Sequence, residues 1–227
     1  MGYYNDKTLQ KFQRGYEKAV EDAKAGKLHV SISKANSKMG AIASVSMLPF
    51  LTCPVRCKES CGTKCYAAKL ANLRPNVLTS YANNTALALH NPELYWKTVN
   101  ETVGHVKYFR FHVSGDILNM PYLQKMVEVA RNNPDTELLA FTKRYELINT
   151  YLDRGNTLPA NLHILLSGWR NMKPINLHGL PETNVLEHGE EPGAGQTLCG
   201  GNCFNCAKTG CGCWNAQRHD VIVFYLH

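Results

Sequence analysis

Nine cysteines gathered into two short segments are the feature that most restricts how this chain can fold. The first segment, here called the N-terminal cysteine group, has a thiol at every fourth residue and comprises Cys53, Cys57, Cys61 and Cys65. The second, the C-terminal cysteine group, comprises Cys199, Cys203, Cys206, Cys211 and Cys213. Segments so rich in thiols form disulfides or hold metal, and either outcome fixes the local path of the backbone.

The expected cellular compartment decides between these two outcomes. The first residues of the chain are charged throughout and lack the apolar centre of a secretory signal, and no apolar run is long enough to cross a membrane. We therefore expect a cytoplasmic protein with no membrane partner. Disulfides are rare in a reducing cytoplasm, and an odd number of cysteines would leave one unpaired. All nine cysteines are thus candidate metal ligands.

The spacing of the N-terminal cysteine group argues against a single helix. A straight helix from Cys53 to Cys65 would place its ends about 18 Å apart at roughly 1.5 Å per residue, which is too far for one small metal centre. Pro54 and Gly62 favour a loop instead. We expect a loop wrapped round a cluster, with ligands from elsewhere in the chain as the alternative.

The C-terminal cysteine group is compatible with two kinds of metal. Glycines interleave its cysteines and leave backbone amides free to approach sulfur, as in iron–sulfur proteins. Zinc is the alternative, because a tetrahedral zinc site needs four thiolates. Zinc sites usually present two C-x2-C pairs, whereas only Cys203 and Cys206 form one here. We expect iron–sulfur clusters, of the [4Fe–4S] type.

Strand and helix patterns alternate through the middle of the sequence. Residues 107–116, 136–144 and 161–169 have the pattern of buried strands, and helical patterns follow at 121–133 and 145–155. This alternation predicts an α/β fold with a parallel sheet. Right-handed crossovers would place the carboxyl ends of the three strands on one edge, where such folds bind ligands.

The flanking segments complete a single predicted domain over residues 1–227. Helices are expected at 6–24, 76–89 and 92–103, and strands at 27–34 and 220–227. Residues 170–198 are rich in Gly, Pro and Asn and are expected to be irregular.

Polar side chains follow the three central strands and form the predicted functional edge. His112 and Asp116 are candidate acid–base or substrate-orienting groups, and Lys143 is a candidate anion-binding group. The candidate cofactor-binding residues are Ser114, Gly115, Thr142 and Ser167. Turn and capping chemistry alone is the alternative explanation for these residues, because Ser, Thr and Asp favour such positions.

The basic charge of the chain leaves a second functional class open. The formal net charge is +7 with every thiol counted as neutral, although thiolates are the form that binds metal. Basic residues and aromatic rings could form a face that binds nucleic acid, with candidates Tyr81, Tyr95, Trp169 and Trp214, although most aromatic residues of such a chain belong to the core. A zinc- or cluster-stabilised module that binds nucleic acid or a host protein is therefore the alternative to an enzyme.

The order of the motifs resembles one known family. The segment "CYA" that closes the first group, the strand "FRFHVSGD", the segment "LLAFTKR" and the C-terminal cysteines are similar to the bacteriophage proteins of the gene product 88 family. The resemblance covers most of residues 36 to 213. It implies an iron–sulfur protein of phage origin, in the host cytoplasm, on parallel β/α units that form a complete or partial (β/α) barrel with cysteine-rich loops.

A more distant similarity is to the radical S-adenosylmethionine enzymes. Those enzymes have a C-x3-C-x2-C loop after their first strand and a Gly-Gly-Glu motif after the second. Here that cysteine spacing occurs only at residues 199 to 206, and Ser114-Gly115-Asp116 is a loose equivalent of the second motif. S-adenosylmethionine is accordingly the weaker cofactor expectation.

Two hypotheses follow from the sequence. The first is a redox or radical-type enzyme that acts on a small substrate or with a redox partner, and the second is the metal-stabilised binding module. Each cysteine group has enough thiols for its own cluster, so we favour two clusters over one cluster shared between the groups. The sequence predicts neither the reaction nor the oligomeric state.

Overall fold

The protein is built on a sheet of eight strands. The structure, a computed structural model, describes residues 2–36 and 39–226. The strands span Ile32–Ser33 (β1), Ala43–Val45 (β2), Tyr108–Phe111 (β3), Glu137–Thr142 (β4), Leu162–Ser167 (β5), Glu182–Leu186 (β6), Gln196–Leu198 (β7) and Val221–Tyr225 (β8). Their order is β1-β2-β3-β4-β5-β6-β8-β7, and each neighbouring pair is parallel except β1 with β2.

Seven α-helices occur in the described residues. They span Asp6–Lys24 (α1), Tyr66–Leu73 (α2), Pro75–His90 (α3), Pro92–Val103 (α4), Met120–Asn132 (α5), Tyr145–Asp153 (α6) and Cys203–Thr209 (α7). The five helices predicted from sequence correspond to α1, α3, α4, α5 and α6, with ends that differ by at most two residues. None of the helices in the described ranges is long and apolar enough to span a membrane.

The starts of these helices are fixed by capping side chains. Asn5, Asn91 and Asn119 each accept a hydrogen bond from a backbone N–H in the first turn of α1, α4 and α5. Pro75 and Pro92 occupy the first position of their helices, where a missing N–H has no cost. Local sequence alone therefore determines where these helices begin.

The three central strands form the predicted parallel arrangement. Phe109 of β3 pairs with Leu138 of β4, which in turn pairs with Leu162 of β5. The carboxyl ends of the three strands therefore share one edge of the sheet, here called the carboxyl edge. Strand β3 ends at Phe111 because the next residue, His112, has a positive φ of 57° that interrupts extended backbone.

Other parts of the sheet differ from the sequence-based expectation. The segment 170–198, expected to be irregular, contains β6 and β7, and β2 was not predicted. The strand expected at 27–34 is reduced to two residues at the edge, and the one expected at 220–227 spans 221–225, with residue 227 outside the described residues. The unpredicted strands are short, and distant partners supply their hydrogen bonds, so their local sequence carries little signal.

The sheet is open. Strands β1 and β7 are its two edges, and no pairing in the described residues joins them. The fold is therefore α/β with a mostly parallel sheet, as predicted, but the complete barrel considered from sequence is not formed. A closed barrel would need the first and last strands to hydrogen-bond each other.

The two faces of the sheet are covered differently. On one face, Phe109 and Leu138 belong to the main core with residues of α3 to α6. On the opposite face, Leu139 and Leu165 pack with Trp214 and with residues of α7. Successive side chains of a strand point to opposite faces, which explains why adjacent residues enter different cores. The C-terminal cysteine group thus lies on the face opposite to the main helical layer.

An aromatic cluster lies beneath the carboxyl edge on the helical face. His112 is buried there, and its Nε2 is 2.9 Å from the hydroxyl of Tyr122, which is 2.6 Å from that of Tyr95. Its Nδ1 has no hydrogen-bond partner among the described residues. Burial, assisted by the charge of Arg110, lowers the pKa of His112 to about 3 from an ordinary 6.5.

This buried imidazole predicts a loss of stability on acidification. Between pH 6.5 and 3 the unfolded chain protonates His112 and the folded chain does not, so unfolding becomes easier as the pH falls. From pH 7 to pH 5 the free energy of unfolding should fall by about 2 kcal/mol more in the wild type than in His112→Gln. Urea titrations at both pH values measure the difference. The exposed His105→Gln control should behave as the wild type, and an equal fall in all three proteins would contradict the assignment.

Candidate metal centre

The N-terminal cysteine group lies on a folded loop between β2 and α2. The loop contains two short 3-10 turns, Val55–Cys57 and Cys61–Lys64, rather than one continuous helix. Cys65 is the residue before α2, and its Sγ accepts a hydrogen bond from the N–H of Ala68 at 3.5 Å. The loop conformation favoured by the sequence is therefore present, and it shortens the path between the four thiols.

The thiols of this group influence one another directly. Hydrogen bonds with Cys53 and Cys61 raise the pKa of Cys57. The hydrogen bond from Cys57 lowers the pKa of Cys61 to about 6, and the nearby cation of Lys143 acts in the same direction. Burial raises the pKa of Cys65 to about 12, with Cys53 and Cys61 contributing to the rise. The thiol of Cys57 therefore contacts those of Cys53 and Cys61, Cys65 lies close enough to both to interact electrostatically, and Lys143 lies near Cys61.

Asp116 connects this loop to the carboxyl edge. Its Oδ1 accepts hydrogen bonds from the N–H of Ile117 at 2.7 Å and the hydroxyl of Thr142 at 2.6 Å, and its Oδ2 accepts from the N–H of Lys143 at 2.9 Å. Its own N–H donates to the hydroxyl of Thr52, the residue before the first cysteine, at 3.2 Å. Burial raises the pKa of Asp116, while the three donors oppose that rise.

Ser114 and Gly115, the two residues before Asp116, contact the segment between β2 and Cys53. The hydroxyl of Ser114 donates to the carbonyl of Met47 at 2.8 Å. Gly115 has a φ of 83°, and a Cβ at this position would lie 2.6 Å from the hydroxyl oxygen of Thr52. Only glycine allows the loop after β3 to approach the cysteine loop so closely. Ser114 and Gly115, predicted to bind cofactor, thus hold these two loops together.

The segment after β4 contributes two cations to the same edge. The Nζ of Lys143 donates to the hydroxyl of Ser167 at 2.6 Å, so these two predicted site residues are brought together. Arg144 donates from Nη2 to the carbonyl of Thr52 at 2.8 Å. The charge of Lys143 acts on Cys61, and Arg144 holds the start of the cysteine loop. His112 is separate from this arrangement, because its hydrogen bond is made to Tyr122 in the aromatic cluster.

The C-terminal cysteine group surrounds a short helix on the other face of the sheet. Helix α7 ends at Thr209, and the next residue, Gly210, has a φ of 60°, which is typical of the residue that follows a helix. The indole N–H of Trp214 donates to the carbonyl of Cys203 at 3.1 Å, and the N–H of Cys199 donates to the carbonyl of Val223 in β8 at 2.9 Å. Trp214 packs in the second core and so anchors the group to the sheet.

The thiols of the second group also interact with one another. Burial raises the pKa of Cys206 to about 11, and a hydrogen bond with Cys211 adds to the rise. Burial raises the pKa of Cys213 to about 12, with Cys199 as the largest contribution from a neighbouring thiol. The N–H of Gly201 donates to the sulfur of Cys199 at 3.4 Å, which is the amide–sulfur contact that the interleaved glycines suggested.

Tyr66 lies near both cysteine groups, and Arg110 lies near Tyr66 and the C-terminal group. Tyr66 is within electrostatic range of Cys65 in the first group and Cys203 in the second, and its hydroxyl donates to the carbonyl of Val113. The charge of Arg110 acts both on Tyr66 and on Cys213. The two groups are therefore neighbours across the carboxyl edge, although they lie far apart in sequence.

The two cysteine groups do not have the geometry of a metal site. In the described ranges, no group of three or more Cys, His, Asp or Glu side chains has an arrangement that could hold a metal ion. Binding of a cluster would therefore require the sulfur atoms of each group to move into the positions of its ligands. The donor set fits such a change, because thiolates bind iron–sulfur clusters and zinc. Seven of the nine cysteines lie in loops and short turns, and Cys203 and Cys206 lie in the short helix α7.

Sequence analysis missed four residues of this site: Thr52, Tyr66, Arg110 and Arg144. All four lie in or beside motifs already noted, since Thr52 precedes the first cysteine, Tyr66 belongs to "CYA", Arg110 to "FRFHVSGD" and Arg144 to "LLAFTKR". Their position inside the motifs was the available signal. Their roles depend on contacts between segments far apart in sequence, which no local pattern reports.

Comparison with known proteins identifies the family. Neither the comparison with curated proteins nor that with solved structures gave a match. The sequence profile described as gene product 88 matches residues 5–208, which include the whole N-terminal cysteine group and the first three members of the C-terminal group. The match covers most of the chain and confirms the resemblance seen in the order of the motifs. The protein therefore belongs to the gene product 88 family.

Proposed function

We propose that the protein binds an iron–sulfur cluster of the [4Fe–4S] type at each cysteine group and acts as a redox or radical-type enzyme on a small substrate. One observation carries the proposal: each group contains at least four thiols, and those that perturb one another most lie in the same group. Four thiolates are the usual ligand set of such a cluster. The neighbouring positions of the groups would allow an electron to pass from one cluster to the other.

The ligands of the first cluster would be Cys53, Cys57, Cys61 and Cys65, and those of the second would be four of the five cysteines between 199 and 213. Two amide–sulfur hydrogen bonds would tune the potentials, one from Ala68 to Cys65 and one from Gly201 to Cys199. A bound cluster supplies one-electron chemistry, and the surrounding residues determine what it can act on.

The substrate would bind at the carboxyl edge beside the first group. Lys143 carries the cation that would hold an anionic group, and the hydroxyl of Ser167 orients its ammonium. Thr142 and Asp116 would act as positioning residues, because their hydrogen bonds are directed to each other and to the adjacent backbone. His112 is enclosed by aromatic rings and has no part in this proposal.

S-adenosylmethionine remains the weaker part of the proposal. Radical enzymes that use it hold their cluster with three cysteines and leave one iron open, whereas the first group offers four thiols. An open, mostly parallel sheet is nevertheless compatible with the partial β/α barrel on which such enzymes are built.

Anaerobic purification followed by analysis of iron, acid-labile sulfide and zinc tests the proposal directly. We expect a brown protein with iron and sulfide in equal amounts and an electron paramagnetic resonance signal after reduction. Stoichiometric zinc in a colourless protein, prepared with and without oxygen, would reject the clusters in favour of a zinc-stabilised binding module.

The two-cluster arrangement makes a prediction about single cysteines. Cys65→Ser and Cys206→Ser should each remove about half of the iron and leave the other signal intact, because each group holds its own cluster. Iron analysis and the resonance spectrum measure this. The neighbouring Thr63→Ala variant is the control and should keep all the iron. Complete loss of iron from either cysteine variant, with the fold retained, would instead indicate one cluster shared by both groups.

Arg110 makes a second prediction. No carboxylate in the described part of the chain forms an ion pair with it, and its Nε is buried without a hydrogen-bond partner. A negatively charged cluster near Cys213 would balance this cation. Arg110→Gln should therefore lower the reduction potential of the C-terminal cluster by roughly 50 mV, because a nearby cation favours the reduced state.

Redox titration followed by electron paramagnetic resonance measures that change. Arg110→Lys retains the charge and should retain most of the potential, and the exposed Arg131→Gln should match the wild type. If Arg110→Gln leaves both potentials unchanged while the iron content is complete, the charge does not act on a cluster.

A further inference from the structure

Helix α2 presents an apolar stripe to solvent directly beside the first cysteine group. Tyr66, Leu70 and Leu73 are 47%, 37% and 70% exposed. They are spaced four and three residues apart and so lie on one face of the helix, while small alanines occupy the buried face. Large apolar side chains exposed in such a row mark interaction surfaces more often than isolated ones do.

Positive charge surrounds this stripe. Lys64, Lys69 and Arg74 are exposed, and no ion pair among the described residues involves any of them. Between residues 52 and 74 the sequence has five Lys or Arg and one Glu, so this short segment holds much of the net charge of +7. We call the three apolar and these three basic residues the α2 surface.

The combination of apolar centre and basic rim restricts the partner. A second copy of this chain would place the same cations against one another in a two-fold interface, which is repulsive. Nucleic acid is bound through phosphate contacts and stacked aromatic rings, which gives no reason for the exposed side chains of Leu70 and Leu73. An apolar centre within a charged rim is instead the usual composition of an interface with another protein. Charge complementarity requires that partner to be acidic.

We propose that the α2 surface docks an acidic electron-carrier protein that delivers electrons to the first cysteine group. The proposal rests on the proposed function for its redox part, and on the surface itself for the docking part. Cys65 immediately precedes α2, and its sulfur is held by the N–H of Ala68 in the first turn of that helix. A carrier seated on the stripe would therefore lie against the segment that supplies a ligand.

The electron-transfer step forms and breaks no covalent bond. A carrier containing reduced flavin mononucleotide, in the anionic hydroquinone form, gives up one electron and becomes the neutral semiquinone. A cluster held by the first cysteine group would accept that electron, and its charge would become more negative by one. The rim cations steer the encounter and the apolar stripe holds the complex, as is usual for short-lived protein pairs.

The experiment uses the full chain with its metal content and a bacterial flavodoxin, which is a small acidic flavin protein, as the probe. Iron content and reduction by dithionite are measured first, followed by flavodoxin binding and the rate of cluster reduction by reduced flavodoxin. Lys69→Glu/Arg74→Glu should lower the association rate constant about tenfold at low ionic strength, and the difference should disappear at high salt. Leu73→Ser should weaken binding at both ionic strengths.

The control is Lys18→Glu/Lys97→Glu, which makes the same change of net charge at exposed positions on α1 and α4 and should bind as the wild type. Equal rates in all variants, or an equal loss in the control, would overturn the docking surface. The proposal would also be wrong if flavodoxin fails to bind while single-stranded DNA binds tightly and the α2 variants abolish that binding. A protein without a reducible cluster refutes the proposed function, whereas the binding measurement still decides the docking surface.

Discussion

The buried carboxylate of Asp116 is the interaction on which the arrangement of the site depends. It joins the loop after β3, the end of β4 and, through Thr52, the start of the N-terminal cysteine group. Its side-chain partners are all donors, Ile117 and Lys143 through backbone N–H groups and Thr142 through its hydroxyl. An ionised carboxylate can accept all three of these hydrogen bonds, whereas an amide would place a donor NH2 group against one of the donors. Such charge-assisted hydrogen bonds offset the cost of burying the charge.

The second constraint is the position of β8 between β6 and β7. This order makes the chain leave β7 at the carboxyl edge and return to β8 from the opposite edge, so the intervening C-terminal cysteine group must cross one face of the sheet. Trp214 fixes the crossing segment by packing in the core on that face. The N-terminal group reaches the same edge from β2. Two thiol-rich segments from opposite ends of the chain thus become neighbours, with Tyr66 close to both.

The proposed cluster and carrier would account for two features of the structure. The first is the cation of Arg110, which lies over the ring of Phe141 but has no carboxylate partner among the described residues, and the second is the exposed stripe of α2. A cation without a carboxylate partner costs free energy unless another negative group is close, and a cluster held by thiolates is such a group. Apolar side chains left in water are likewise costly unless a partner covers them. The proposed cluster would balance the charge of Arg110, and the proposed carrier would cover the stripe of α2.

The sequence by itself determined the five predicted helices, the three central parallel strands and the family, because capping residues, apolar periodicity and motif order are local properties. It also indicated that Asp116, Thr142, Lys143 and Ser167 share an edge, since parallel strands align their carboxyl ends. Only the tertiary structure decided that β2, β6 and β7 join the sheet, that His112 is buried with Tyr122, and that Ser114 and Gly115 hold two loops together. Those outcomes depend on hydrogen bonds and packing between segments distant in sequence, and no local pattern encodes such partners.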